Sequence, residues 1–147
     1  MFQKDYILRM VEMIGDLIAA LLGLIKKGDL DQAEKILERG YMELLRREAA
    51  FFQSIPKEKL TTTLIGEHNY EHGHLAVLAE LFFAEATLSH AQQKPSYALI
   101  NYEKALILLE FLEDEDKTWS AKREERVSLL KTKISELQQG RKSANLL

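Results

Sequence analysis

The run Lys26-Lys27-Gly28-Asp29-Leu30-Asp31-Gln32-Ala33 sets a helix stop and a helix start back to back. Two lysines suit the negative C-terminal end of a helix, and Gly28 can take the left-handed conformation that closes it. Asp29 then offers an acceptor to the free amides of the next helix, with Gln32 three residues on in a capping-box-like arrangement. Apolar segments of helical period lie on both sides. A connection this short forces the two helices into an antiparallel hairpin. The same periodicity continues along the chain, so the expected fold class is all-α.

At about 100° per residue, Ile7, Met10, Val11, Ile14, Leu17, Ile18, Leu21, Leu22, Leu24 and Ile25 fall within one arc of roughly 200°. Asp5, Arg9, Glu12, Asp16 and Lys27 lie opposite. An ordinary surface helix needs a stripe of about half that width, so the first helix is expected to meet neighbours on two sides. Gly15 and Gly23 each weaken a helix by about 1 kcal/mol relative to alanine, and are expected to mark close approaches of another backbone.

The second helix carries Leu30, Ala33, Ile36, Leu37, Gly40, Tyr41, Leu44 and Leu45, and Ser54-Ile55-Pro56 breaks the chain after it. A less regular helix is expected over residues 57–65. A stronger one starts at His74, with Leu75, Leu78, Ala79, Phe82, Phe83, Ala86 and His90, and ends at Gln92-Gln93-Lys94-Pro95. Pro95 suits the first turn of the next helix, which holds Ala98, Leu99, Tyr102, Ala105, Leu106, Leu109 and Leu112. The last helix holds Trp119, Val127, Leu130, Ile134 and Leu137, with Gly140 as its expected end. Residues 1–140 thus form one domain of five to six helices, followed by a frayed tail over residues 141–147.

The absence of cysteine among 147 residues excludes a disulfide framework, a thiolate metal site and a cysteine nucleophile. Leu17 to Ile25 is the longest apolar run, about half the roughly 20 residues that span a bilayer, so no membrane insertion is expected. The opening residues carry an early acid and no small-residue cleavage site, which leaves the cytoplasm as the expected location. A net charge of −3 gathers neither nucleic acid nor anionic lipid. Locally, Glu110, Glu113, Asp114, Glu115 and Asp116 precede Lys117, Lys122, Arg123, Arg126, Lys131, Lys133, Arg141 and Lys142. Trp119 alone supplies an aromatic beside those cations, and a nucleic-acid partner is not expected. No phosphate loop or nucleophile elbow occurs, so neither a cofactor nor catalysis is expected.

Two hairpins, with turns near Gly28 and Lys94, share a pattern of small, apolar and small residues at intervals of four and three. It reads Ala33, Leu37, Gly40 in one and Ala98, Tyr102, Ala105 in the other, with the two alanines 65 residues apart. This spacing sets small residues where the paired helix comes closest. The chain here resembles the tetratricopeptide repeat family, whose period is about 34 residues. The residues 26–33 turn and the Ala98, Tyr102, Ala105 triplet carry the resemblance. First-helix packing positions map onto Leu17, Ala20, Leu24, Phe82 and Ala86, while Leu21, Glu85 and Ser89 depart from the pattern. No middle repeat is recognisable over residues 42–76. The opening Asp5-Tyr6-Ile7-Leu8-Arg9-Met10 is similar to the start of an uncharacterised family of small bacterial helical proteins.

The resemblance implies a right-handed array of stacked hairpins that binds a protein or peptide along a concave face. By position that face takes Ile18, Leu22, Ile25 and Lys26 from the first hairpin and Glu80, Phe83, Thr87 and His90 from the second. Ile18, Leu22 and Ile25 together would make a sticky patch if left in water. An intramolecular cover, from residues 57–65 or the last helix, is the first expectation. A homodimer through the first helix is the second, and an exchangeable partner the third. The alternative function is metal binding: in a helix His68 and His72 share a face at i and i+4, with Glu71 or His74 as further ligands. Gly66 and Gly73 bracket that stretch and work against helix there.

Overall fold

The computed structural model describes residues 2–115 and 120–146. The described residues contain α1 (Phe2–Lys27), α2 (Leu30–Leu45), α3 (Ala49–Gln53), a 3-10 turn (Lys57–Lys59), a π-helical segment (Thr62–Glu67), α4 (His72–Ala91), α5 (Pro95–Glu115) and α6 (Ala121–Leu146). No strand occurs among them. The chain is all-α, with the two short segments added to six α-helices. α6 continues through Gly140 to Leu146, so residues 141–146 are helical and not the frayed tail expected. A lone glycine lowers helix stability by only about 1 kcal/mol and, with no proline behind it, does not stop a helix.

The opening turn forms as its residues dictate. Gly28 has φ +83°, its amide donates to the Ile25 carbonyl at 3.0 Å, and the Asp29 amide reaches back to Leu24 at 2.9 Å. These are the paired bonds of a Schellman motif. The turn between α4 and α5 repeats them: Gln93 has φ +63°, its amide donates to His90 at 3.0 Å, and the Lys94 amide to Ser89 at 2.9 Å. A glutamine therefore holds the left-handed position that glycine holds in the first hairpin. Pro95 opens α5, and its preset φ suits the first helical turn.

α4 is the centre of the packing. Leu75, Val77, Leu78, Ala79, Leu81, Phe82, Phe83, Ala84, Ala86, Leu88 and Ser89 are all buried, so apolar side chains leave the helix on every side. Such a helix is stable only when surrounded. α1, α2 and α5 each pack against it, and α6 packs on α5. α1 presents an inner stripe of Met10, Ile14, Ile18 and Leu21, at helical spacing and all at most 3% exposed. At Gly40 on α2 an added Cβ would lie 2.8 Å from a Leu17 methyl and 3.3 Å from one of Leu81, so the small residue expected there serves a close approach. Gly15 and Gly23 have nothing within 4 Å, and no approach inside the described chain accounts for them.

Between the hairpins, α3 and the two irregular turns plug the core with Phe52, Leu60 and Leu64, each fully buried. The 3-10 turn is fastened to α5 by the Lys57 to Glu103 ion pair at 3.1 Å. From α6, Arg126 reaches α4: its Nε and Nη2 donate to the two carboxylate oxygens of Glu80 at 2.8 and 2.9 Å.

The two turns make a matched pair for substitution. Gln93→Gly should raise unfolding stability by about 0.5–1 kcal/mol, since a left-handed non-glycine residue costs about 1–2 kcal/mol and added chain freedom returns part of it. Gly28→Gln should lower stability by a similar amount. Urea midpoints with unchanged slopes are the measurement.

Candidate functional site

The structure separates the eight groove residues expected from the repeat register. Ile18 is 3% exposed within the inner stripe of α1, Leu22 and Ile25 are half-buried, and Lys26 is exposed. α2 and α4 pack against this helix, so the intramolecular cover comes from them and not from the two segments expected. On α4, Glu80 is engaged by Arg126, and the same guanidinium lies 3.9 Å above the ring of Phe83, which is itself buried. Thr87 donates to the Phe83 carbonyl at 2.9 Å and sits 3.3 Å from the Tyr102 hydroxyl. Ile18 and Phe83 therefore cannot meet a partner while the fold is closed. His90 is exposed at the edge of a groove of about 490 Å³ lined with Pro95, Leu99, Glu136, Leu137 and Arg141.

The three histidines proposed as metal ligands face different neighbours. His68 ends the π-helical segment and sets its ring edge-on to Phe51 at 5.0 Å. His72 starts α4 and meets Phe111 edge-on at 5.9 Å. The break at Asn69, with φ +58°, removes the shared helical face on which the i, i+4 spacing depended. His74 accepts the Glu71 amide at Nδ1 over 3.0 Å, the side-chain half of a capping box. Burial lowers its pKa, partly offset by the Glu71 carboxylate, which keeps the ring neutral and able to accept. Among the described residues no group of three or more His, Asp or Glu side chains gathers where a metal ion could sit.

Of the cations in the C-terminal third, Lys117 lies outside the described residues, as does Trp119. Arg126 is used within the fold, and Lys133 approaches Glu136 at 4.0 Å on its own helix.

A buried polar cluster ties α2, α3, α4 and α5 together. Tyr41, with no exposed surface, donates its hydroxyl to Glu85 at 3.3 Å. Gln53 donates to the Asn101 side-chain oxygen at 2.6 Å, and Asn101 donates to the Tyr97 carbonyl at 3.0 Å. Lys104, 3% exposed, donates to the Gln53 carbonyl at 3.1 Å and lies 5.6 Å from the Phe82 ring centre. Burial lowers the Lys104 pKa. Among the described residues no buried side-chain polar atom lacks a partner. A fully satisfied cluster of this kind fixes the mutual orientation of its helices. The signal for it was in the chain, because Glu85 is a carboxylate within an otherwise apolar helical run.

Burial raises the Glu85 carboxyl from 4.5 to about 7, with Glu34 and Glu38 adding to the effect and Tyr41 and Lys94 opposing it. Tyr41 is raised well above its ordinary range, first by burial and then by Glu85.

A further surface feature is the outer side of α1. Leu8 is 54% and Val11 44% exposed, and Gly15, Ala19 and Gly23 continue the same exposed line at steps of four. Comparison with protein-family models, with curated proteins and with solved structures finds no match for this chain.

Glu85 generates a pH prediction with a definite sign. The folded protein holds its proton more tightly than the unfolded chain, so this group's contribution is most favourable below pH 4.5 and is lost as pH rises to about 7. The loss amounts to about 3 kcal/mol. Glu85→Gln should remove that slope and unfold at higher urea than the parent at pH 8, as measured by urea titrations at pH 5 and pH 8.

Proposed function

We propose that this protein is a non-catalytic helical scaffold that acts by protein–protein contact in the cytoplasm, built as a tetratricopeptide-like stack of hairpins. Three packing features support the repeat reading. α4 packs against both helices of the first hairpin, as a third helix in such a stack would. Both hairpins close with the same pair of backbone bonds. Gly40 admits Leu17 and Leu81 where the pattern calls for a small residue.

The observation that carries the binding role is the outer face of α1. Leu8 and Val11 are exposed beside two glycines that no group of the described chain approaches. Apolar side chains left in water next to a smooth backbone surface suit the docking of another helix. The partner is a protein; no helix of the described residues is long and apolar enough to cross a membrane. His90 and its groove are a secondary contact for a peptide, because Leu99 and Leu137 are flanked there by Glu136 and Arg141.

A photo-crosslinking residue at position 8 or 11, introduced in the source cells, should yield a covalent protein adduct. The same residue in place of Glu38, exposed on α2, should not. Adducts absent from both α1 positions would refute the binding role of this face.

A further inference from the structure

We propose that the outer face of α1 pairs antiparallel with the same face of a second copy of this chain, centred on Ala19. This rests on the reading of α1 as a docking face and names its occupant.

The charges supply the first reason. Along the exposed side of α1 and its turn stand Arg9, Glu12, Asp16, Lys26, Lys27 and Asp29. Four of them lie equidistant from Ala19 in pairs of opposite sign: Arg9 mirrors Asp29, and Glu12 mirrors Lys26, while Asp16 and Lys27 have no charged counterpart in this register. An antiparallel pair therefore sets Arg9 and Lys26 each at the level of an acidic group of the other copy, twice over by the two-fold symmetry. A parallel pair would set like against like at every one of these positions. None of the four side chains has an ion-pair partner among the described residues. Only Asp29 makes a side-chain hydrogen bond, to the Gln32 amide at 3.4 Å, and its second oxygen remains for a cation.

The backbone supplies the second. In the same register Gly15 faces Gly23 of the other copy and Ala19 faces Ala19, a row at steps of four that lets two helices approach closer than the usual 8–10 Å or so. Two glycines inside a 26-residue helix cost stability, and the space above both is open within 4 Å. Contact between copies gives them a use that the isolated fold does not. On the margin away from the charges, Val11 and half-buried Leu22 supply apolar surface.

Light scattering and sedimentation equilibrium of the purified full chain should give twice the chain mass. Gly15→Gln with Gly23→Gln should halve it, and should melt no lower than the parent, because both sites have room and glutamine favours helix. Glu12→Lys alone and Lys26→Glu alone should each shift the equilibrium to monomer. Mixing those two variants should restore a pair, since each then presents charges opposite to the other's. A parent that is monomeric at the highest soluble concentration overturns the proposal, as does a dimer that survives the paired glutamines. Crosslinks from position 8 or 11 to a different protein, in the presence of a monomeric parent, would remove the self-pairing while leaving α1 as a docking face.

Discussion

Everything in this fold depends on surrounding α4. A helix that sends apolar side chains out on all sides has no stable state until several neighbours cover it, and here α1, α2 and α5 do so. The hairpin turns at Gly28 and Gln93 bring covering helices back onto it with little chain to spare. Deleting any one buried leucine or phenylalanine of α4 would cost about 2–5 kcal/mol, a large share of the stability a domain of this size possesses.

Polar contacts then decide the angles at which the neighbours sit. Hydrophobic contact is non-directional, so apolar packing alone leaves helices free to slide and roll. Tyr41 on Glu85, Gln53 on Asn101 and Lys104 on the Gln53 carbonyl each admit a narrow set of arrangements. Arg126 does the same for α6 with a two-pronged contact to Glu80 and a stacked one on Phe83. An arginine fork fits a carboxylate in one plane, which makes it a geometric clasp as well as a charge pair.

Much of the local structure was legible in the chain. Gly28 and Pro95 announce their roles because backbone conformation is decided by the residue itself. The apolar spacing of α1, α2 and α5 reads directly as helix. Gln93 was legible as an ending but not as a left-handed residue, since nothing local requires one of a glutamine. The stretch from His68 to His74 was misleading for a comparable reason: i, i+4 spacing implies a shared face only if the backbone is helical, and Asn69 interrupts it. The groove residues fail differently. Phe83 lies against Tyr102 and under Arg126, and Glu80 is taken up by the same Arg126, 46 residues on. A contact at that separation is invisible to periodicity. The exposed line on α1, by contrast, was present in Gly15 and Gly23 from the start, but its meaning required knowing that nothing among the described residues comes within 4 Å of a side chain placed there.

The way α6 closes over the second hairpin bears on how such a protein can change over evolutionary time. An open-ended stack gains or loses units at its ends with small effect on those that remain, because each unit touches only its neighbours. Here the last helix is bolted through Arg126 to the third of the four long helices that precede it, and α3 with its irregular turns is wedged between the hairpins. Removal of the last helix would expose Phe83 and strand Glu80, so that helix is free to vary along its outer side and held to its present residues where Arg126, Val127 and Leu130 face inward.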